Sequence, residues 1–565
     1  GGGASDGGTV TVTNTGDIFT RGADSYGIFA QSVGGGGGVG GDASHGIPGV
    51  PTWLEPFLEL TPLKSLEDMQ IVVGGSGGSS GNGDAVNISN EGNIVTLGNG
   101  SSAIFAQSIG GGGGVAGAGA VGLVGKVGIG GEGGAAGDGG DVTVSHEGQI
   151  ETFGDAAYGI SAQSVGGGGG AAGDVGRGIF DFGLNVAFGQ PGGGGGDGGA
   201  VDVLSEGDIT THGTGAIGIF AQSVGGGGGI AGDVGTGIGF AGSVGGDGSG
   251  GAVNVTHTGN ITTFGDASHG IFAQSAGGKD FGGTVNVTLN SNIIAYGENS
   301  TGIIAQSRGD MGAGDISVNL SDGALVRGGS GAGAGVNIDG GFNNTLNNAG
   351  SISALSGTSI IGGVGNETVN NNGVVTGSVN LGAGANAFNN NPGATFNAGA
   401  LVNLGAGNTL TNAGILAPGG SGAVVDMILD GDYVQAAAGL MEIEIGGFTP
   451  GTFDFIDITG TANLAGGNIN FSFMPGYDIA ADIAPGQSMT LQFLNADNIE
   501  SFACSVSYDF LGTPLMFNYN VFQADNGLYF EATNAIPAPG AFLLVCIGLG
   551  CIRGALRRTR QSAQS

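Results

Sequence analysis

Residues that could carry out catalysis are present in this sequence, but they are not grouped. A polysaccharide lyase or a glycosidase needs clustered carboxylates, usually beside an Arg or Lys that stabilises developing charge. The 565 residues include 46 Asp and Glu but only 11 Lys and Arg. Before residue 553 the basic residues are far apart: Arg21, Lys64, Lys126, Arg177, Lys279, Arg308 and Arg327. We therefore expect no catalytic site, and a polysaccharide-degrading enzyme is only the third hypothesis.

Metal ligands are not grouped either. The histidines form no close pair with the spacing of a metal site: His45, His146, His212, His257 and His269. The calcium-binding Gly-rich repeat needs Gly-Gly-x-Gly-x-Asp-x and then a large apolar residue, every nine residues. Residues 192–197 fit its first half, but Gly199 stands where the apolar residue belongs, and residues 245–248 fail at Gly250. We predict no cofactor and keep calcium as a secondary alternative.

Composition excludes several classes of protein. Gly accounts for 135 residues and the formal net charge is −35, so the basic surface of a nucleic-acid-binding protein is missing. Gly does not recur at every third position, which excludes collagen. Charged residues make up only 10% of the chain against 39% hydrophobic ones, which argues against highly charged disorder. Cys504, Cys546 and Cys551 provide neither a disulfide framework nor a Cys-based metal site.

A repeated unit organises the first 330 residues. It begins Val-x-Val/Ile, ends Ile-x-Ala-Gln-Ser and occurs six times. The units begin at Val10, Val86, Val142, Val201, Val253 and Val285. Their glutamines are Gln31, Gln107, Gln163, Gln222, Gln274 and Gln306. Each Gln lies 21 residues after the first Val, although the segments between units vary in length, so the unit has a fixed geometry.

Each unit contains three short strands. Alternate residues of the unit fall on one face, first Val10 and Val12 and then Ile28, Ala30 and Ser32, which is typical of strands with one buried side. Gly16, Gly22 and Gly27 fall between the strands, where we expect turns that need a positive φ. Three strands and three turns in about 22 residues match one coil of a parallel β-helix. The sequence therefore predicts an all-β solenoid.

The six glutamines could form an amide ladder along the solenoid. If successive units stack directly, each side chain hydrogen-bonds to the next at about 4.8 Å. Two residues before the Gln the units carry Phe29, Phe105, Ser161, Phe220, Phe272 and Ile304. If Ile28 and Ala30 point inward, these phenylalanines point outward. Either Gly-rich segments cover them, or they form an aromatic stripe for sugar rings or a partner protein.

Composition divides the chain into four parts. Residues 1–330 hold the six units, separated by Gly-rich insertions that we expect to leave one corner as loops. Residues 331–420 continue the solenoid, with Asn expected at left-handed turn positions. In residues 421–535 the strands lengthen, which predicts a β module that closes the end of the stack. Residues 536–565 form a separate tail.

The first insertion differs from the others. Trp53, the only tryptophan, lies with several leucines in residues 50–70, which favours a short amphipathic helix. This helix is predicted to be either a small cap on the stack or a knob that docks a partner.

The tail has three successive features. A Pro-x-Pro motif comes first: Ile536, Pro537, Ala538 and Pro539. A predicted membrane helix follows, formed by Ala541, Phe542, Leu543, Leu544, Val545, Ile547, Leu549 and Ile552. Its twelve-residue core would reach about 18 Å, against a hydrocarbon thickness of about 30 Å. An arginine cluster comes last and predicts the cytoplasmic side: Arg553, Arg557, Arg558 and Arg560. A buried strand or core helix is the alternative.

The repeats resemble the passenger domains of autotransporters. The resemblance lies in the Ile-Phe-Ala-Gln-Ser-Val units with their Gly runs and in residues 410–420, while residues 431–464 resemble the passenger's terminal region. It covers roughly residues 5–530 and implies a right-handed parallel β-helix displayed outside a Gram-negative cell. An autotransporter continues into a membrane barrel of many strands, and the sequence departs from the family there.

The tail instead resembles the PEP-CTERM sorting signal. In that family a membrane exosortase recognises and processes the motif, and the sorted proteins are often associated with exopolysaccharide. The commoner motif has Glu between the prolines, where this chain has Ala538. The resemblance implies an exosortase-type partner and insertion of the tail in the membrane before processing.

These features together predict a non-enzymatic protein of the cell surface or extracellular matrix, with a structural or adhesive role. Contact would be multivalent along a repetitive face, while negative charge keeps the chain soluble and extended. The alternative is an autotransporter-like adhesin that binds host or neighbouring cells. Exopolysaccharide or other surface proteins are the expected partners, and nucleic acid is not.

Overall fold

The computed structural model describes residues 5–35, 72–73, 81–111, 128–129, 137–167, 196–226, 248–278, 280–510 and 517–536. Its strands stack in parallel, rung upon rung, and each strand pairs with its counterpart in the next rung. The chain is an all-β, right-handed parallel β-helix, which confirms the predicted fold. Within the described ranges no helix is long and apolar enough to cross a membrane.

Three faces surround the core of the β-helix. Strands of the first face are Val10–Asn14, Val86–Asn90, Val142–Glu147, Val201–Glu206, Val253–Thr258, Val285–Leu289, Ile316–Leu320, Asn343–Asn348, Asn366–Asn371, Ala387–Asn390, Thr409–Asn412 and Asp432–Gln435. Strands of the second face are Ile18–Thr20, Ile94–Thr96, Ile150–Thr152, Ile209–Thr211, Ile261–Thr263, Ile293–Ala295, Leu325–Gly328, Ser351–Ala354, Ile415–Pro418, Leu440–Ile445, Asn468–Phe473 and Ser505–Asp509. Strands of the third face are Ile28–Val33, Ile104–Ile109, Ile160–Val165, Ile219–Val224, Ile271–Ala276, Ile303–Arg308, Val336–Gly340, Thr358–Ile361 and Asp426–Asp430.

Longer elements complete the rod. Four strands turn a corner and contribute to two faces: Val374–Asn380, Thr395–Asn403, Phe455–Leu464 and Ser488–Phe502. The last rung is closed by an antiparallel hairpin, Phe517–Ala524 with Gly527–Asn534, which pairs with Ser488–Phe502. A four-residue helix, Ile479–Asp482, precedes that strand. Val72–Val73 and Gly128–Ile129, in the first two insertions, pair in parallel with each other.

Inward-facing Val and Ile side chains form one continuous core. The first residues of the first-face strands pair in register, so that Val86 lies against Val10 and Val142. Val86 and Val142 are completely buried. Each such side chain contributes about 1.5–3 kcal/mol through burial, which is why the alternation within the unit specifies the fold.

The glycines between the strands differ in role from one position of the unit to the next. Gly16, Gly22 and Gly27 do not adopt a positive φ; in this turn the positive φ of 52° belongs to Asp24. A Cβ added at Gly98 would lie 1.8 Å from the carbonyl oxygen of Gly22 on the rung before. The position of Gly22 and Gly98 therefore needs glycine because neighbouring rungs approach too closely for a side chain. The predicted positive φ does occur at the position of Gly16 in three later units, at Gly148, Gly207 and Gly259.

The asparagines of residues 331–420 also differ from the prediction. In this segment the residues with a positive φ are glycines, among them Gly357 and Gly393. The asparagine side chains instead hydrogen-bond between rungs, as Asn348 does with Asn371 at 2.8 Å. Asparagine is used here for its amide group, because an amide can both donate to one neighbour and accept from the other.

Candidate functional site

A column of exposed rings runs along the second face. It consists of Phe153, His212, Phe264 and Tyr296, each directly following a second-face strand. Each lies 11 residues after the first Val of its unit. The preceding strands pair in register, so the four rings lie on consecutive rungs. We call these four residues the aromatic column.

The rings of the aromatic column stack on one another. Centroid distances are 4.4 Å from Phe153 to His212, 5.1 Å from His212 to Phe264 and 5.3 Å from Phe264 to Tyr296. The planes of successive rings differ by at most 11°. The guanidinium of Arg327 lies 5.0 Å from the centroid of Tyr296, a cation–π contact. The inner ring faces are therefore occupied, and ring edges point to solvent.

The aromatic column is open to solvent along its length. Phe153, Phe264 and Tyr296 are 42%, 46% and 43% exposed, and Leu97, at the same position one rung earlier, is 40% exposed. Isolated exposed apolar residues are common on protein surfaces, but a contiguous series marks an interaction surface. The column can therefore make apolar contacts with a partner over several rungs.

Carboxylates border the aromatic column. The Nε2 atom of His212 lies 3.1 Å from the Oε1 atom of Glu151. The carboxylate of Asp155 accepts a hydrogen bond of 2.9 Å from the backbone N–H of the next rung at Thr214, and Asp266 accepts one from Glu298. Asp155 and Asp266 therefore link neighbouring rungs at this turn, and their carboxylates make the border of the column acidic.

The six repeated glutamines lie on the third face, paired residue for residue between rungs. Gln31 donates to Gln107 at 2.6 Å, Gln107 to Gln163 at 2.9 Å and Gln163 to Gln222 at 3.4 Å. Gln222 donates to Gln274, and Gln274 to Gln306.

The glutamine series ends at a partly exposed ion pair. Gln306 donates to the carboxylate of Asp339 at 2.5 Å, and Asp339 is also paired with Arg308. Five of the six glutamines are buried, so this series holds rungs together and is not a surface that a partner can reach.

The phenylalanines beside the glutamines are mostly buried. Phe105, Phe220 and Phe272 are at most 8% exposed, so the hypothesis of an exposed stripe at these positions is wrong for them. Phe29, on the first rung, is 45% exposed and stacks on Phe105 at 5.1 Å. The Gly-rich insertions that were expected to cover these rings lie largely outside the described residues.

Most of the predicted sorting tail lies outside the described residues. This applies to Pro537, Ala538, Pro539, the predicted membrane segment and the arginine cluster, and also to the predicted helix around Trp53. Ile536 is described and is exposed. Among the residues that the structure describes, no three His, Cys, Asp or Glu side chains are placed to hold a metal ion.

The aromatic column is absent from the sequence-based predictions. The sequence does contain a pattern that indicates the column. The eleventh position after the first Val of each unit is occupied by Arg21, Leu97 and then the four rings. The side chains vary in type, so they do not stand out as a motif. Only the register shows that they are neighbours.

Comparison with known proteins gives a structural neighbour but no relative in sequence. No protein-family model and no curated protein matches the chain. Among solved structures, the chain is similar to the crystal structure of the Haemophilus influenzae Hap adhesin, with 12% sequence identity and a TM-score of 0.18. The match covers 83% of this chain and 65% of the adhesin chain, so it spans just under two thirds of the adhesin's length.

Proposed function

We propose that the chain is a non-enzymatic adhesin of a Gram-negative cell surface, an acidic β-helical rod that binds other cells through its aromatic column. The observation that carries this proposal is the register-aligned, solvent-exposed series Leu97, Phe153, His212, Phe264 and Tyr296. Several rungs present the same kind of contact, so the binding energy of weak individual contacts accumulates along the rod.

The chemistry of the column favours a protein partner. A sugar ring that stacks on an aromatic residue needs a free ring face, and the inner faces here are occupied by neighbouring rings. Exposed edges suit apolar side chains instead. The acidic border and the net charge of −35 favour a partner with a basic rim and disfavour a second copy of this chain.

Delivery to the surface is the second part of the proposal. The tail of residues 536–565 would direct the chain into the membrane, where an exosortase-type enzyme would process the motif at residues 536–539. The mass of the mature C-terminus, measured on protein from envelope and medium, tests this. Ends between Pro537 and Gly540 support processing, whereas retention of Arg560 and Ser565 contradicts it.

A structural role within exopolysaccharide is the second candidate function. It is favoured by the uninterrupted hydrogen bonding between rungs, which makes the rod stiff, and by the strong negative charge. In this role the chain would act as a spacer and its aromatic column would stabilise the rod without contacting a partner.

Retention of coated beads distinguishes the two functions. Beads carrying the purified chain would be applied to lawns of bacterial or host cells and washed at increasing salt. We expect retention well above that of albumin-coated beads, and a loss of about tenfold for the variant Phe153→Ser/Phe264→Ser/Tyr296→Ser. Retention equal to that of albumin would rule out the adhesin and leave the spacer.

Two further variants control for stability and for general hydrophobicity. Thr262→Lys keeps every ring but adds a positive charge beside Phe264 on the same face, so it should weaken retention without loss of the stacking. Phe342→Ser/Val364→Ser removes two exposed apolar side chains that lie between third-face and first-face strands, away from the column, and should leave retention unchanged.

A further inference from the structure

A cleft lies at the C-terminal end of the rod, far along the chain from the aromatic column. Its volume is about 610 Å³. The floor is the outward side of three second-face strands, Leu440–Ile445, Asn468–Phe473 and Ser505–Asp509. The wall is the segment 473–479, which leads into the short helix. A concave site with a few convergent polar groups is the usual form of a ligand-binding site.

The floor of the cleft is a regular array of hydrogen-bonding groups. Glu442 pairs in register with Asn470, and Glu444 pairs with Ser472 and, through it, with Asp509. Rungs lie about 4.8 Å apart, so carboxylate, hydroxyl and amide groups alternate at a spacing that matches successive polar groups of a saccharide. Both carboxylate oxygens of Glu444 lie 2.8 Å from the backbone nitrogen of Gly422, which fixes this side chain.

The wall of the cleft includes the aromatic ring of Tyr477, which its neighbours fix in position. The hydroxyl of Tyr477 donates a 2.8 Å hydrogen bond to Asp482. Its ring packs edge-on against Phe473 at 5.3 Å, and Phe473 stacks on Phe510 at 3.8 Å. Unlike the rings of the aromatic column, Tyr477 has no ring stacked parallel to it among the described residues. It can therefore offer a face to a ligand.

The charge of the cleft has no balancing cation within this part of the chain. Glu442, Glu444, Asp478 and Asp509 line it, and residues 328–552 contain no Lys, Arg or His. Burial, and then the neighbouring charge of Glu444, raises the pKa of Glu442. A positive group of the ligand between these carboxylates would relieve their repulsion.

We propose that this cleft binds a saccharide that carries free amino groups. The ammonium groups would pair with Glu442 and Asp509, the hydroxyl groups would exchange hydrogen bonds with Asn470 and Ser472, and a sugar ring would pack against Tyr477. This site goes beyond adhesion through the aromatic column and does not depend on it.

Calorimetric titration of the purified chain with defined probes tests the site. The probes are a glucosamine tetramer, its fully N-acetylated counterpart and spermine, at a pH where the amines are protonated. We expect binding of the glucosamine tetramer and at least about tenfold weaker binding of the other two. Equal binding of the N-acetylated tetramer overturns the role of charge, and equal binding of spermine overturns the role of the sugar.

Matched variants locate the binding. Glu442→Gln/Asp509→Asn removes two charges without changing side-chain size and should weaken binding about tenfold. The control Asp322→Asn/Asp497→Asn removes two exposed charges outside the cleft and should leave binding unchanged. Tyr477→Ala should weaken binding of the glucosamine tetramer but not of spermine. Equal losses in the charge variant and its control contradict the assignment. Bead retention is unaffected by these changes if the adhesin proposal is correct, so the two proposals fail separately.

Discussion

The two halves of the rod fill the same inside corner in different ways. The last or next-to-last residue of each first-face strand points into this corner, and the pairing register makes these residues one continuous column. In the first half the column reads Asn14, Asn90, His146, Ser205, His257, Leu289 and Leu320. In the second half it reads Asn348, Asn371, Asn390, Asn412 and Gln435.

The second half of the column is fully hydrogen-bonded. Each amide donates to the next at 2.8–3.1 Å. Each Asn also donates its second N–H to a backbone carbonyl of the following rung, as Asn390 does to Ile415 at 2.8 Å. Because buried amides lose their hydrogen bonds to water, this complete pairing is what makes them tolerable in the core.

The first half of the column contains unpaired polar atoms. The Nδ1 atom of His146 lies 2.8 Å from the side-chain nitrogen of Asn90, but its Nε2 atom has no hydrogen-bond partner in the part of the chain that the structure describes. The hydroxyl of Ser205 and both ring nitrogens of His257 are also buried, and they have no hydrogen-bond partner among the described residues. These rungs are held instead by the glutamine series of the third face, which ends at Asp339 just before the asparagine series begins at Asn348. Each half therefore has a buried amide series that links its rungs, on the third face in the first half and in the corner in the second.

Acid should produce the largest difference in stability between the two halves of the rod. Burial lowers the pKa of both His146 and His257 from 6.5 to about 4. Between these pH values the unfolded chain binds protons that the folded chain does not, so the free energy of unfolding falls as the pH drops. The loss is about 3 kcal/mol for each histidine at pH 4.

Hydrogen exchange between pH 7 and pH 4, corrected for intrinsic rates, measures this effect. Protection in rungs 142–165 and 253–276 should fall relative to rungs 366–412, which contain no histidine. His146→Asn/His257→Asn should remove most of the difference. A parallel decline in all rungs of the double variant and the parent chain would show that the histidines are not responsible.

Breaking the asparagine series should have the next largest effect. Asn390→Leu removes three side-chain hydrogen bonds, so that Asn371, Asn412 and the Ile415 carbonyl each lose one partner. We expect a loss of about 4 kcal/mol in the local free energy of unfolding, measured by hydrogen exchange of residues 384–416. The neighbouring Asn391→Leu, which breaks only an exposed amide contact, should cost less than about 1 kcal/mol.

Glu367 should give the second half a pH dependence of opposite sign. Burial raises the pKa of this carboxyl from 4.5 to about 7. Between these two pH values the folded chain therefore holds a proton that the unfolded chain releases. The resulting contribution to the free energy of unfolding is complete below pH 4.5 and is lost as the pH rises through 7. Glu367→Gln should raise the free energy of unfolding by about 3 kcal/mol at neutral pH and leave it unchanged at pH 4. The exposed Glu298→Gln should leave it unchanged at both pH values. A gain that is independent of pH would contradict this account.

Interrupting the glutamine series should have the smallest of these effects. Gln222→Leu leaves Gln163 and Gln274 each with one lost hydrogen bond, at a cost of about 2 kcal/mol. Urea denaturation followed by hydrogen exchange of residues 201–224 measures this loss of stability. The exposed Gln149→Leu is the control. A loss in the free energy of unfolding equal to that caused by Asn390→Leu would contradict this ranking, because it would show that the two series contribute equally to stability.

The repeat could be predicted because its geometry is local. A fixed distance of 21 residues from Val to Gln places every glutamine at the same point of its rung, and alternation identifies the core-facing residues. The role of the glycines could not be read in this way, because the close approach of Gly98 to Gly22 is a contact between rungs. The unsatisfied corner at Ser205 and His257 likewise depends on which rungs are neighbours.

The candidate sites were harder to predict than the fold. The aromatic column varies between Phe, His and Tyr, so its common feature is position and not residue type. The cleft brings Glu442, Tyr477 and Asp509 together from a part of the chain without the six-fold repeat. No spacing rule connects these three residues, and only the stacking of the last rungs shows that they share a surface.

Single-molecule force spectroscopy tests the central claim most directly. The chain would be attached to a cantilever tip and brought repeatedly against a cell surface, and the frequency of rupture events would be compared between the parent chain and Thr262→Lys. The adhesin account predicts frequent ruptures for the parent chain and few for Thr262→Lys, which retains the ring stack but obstructs its exposed edge. Equal frequencies for the two chains would contradict it.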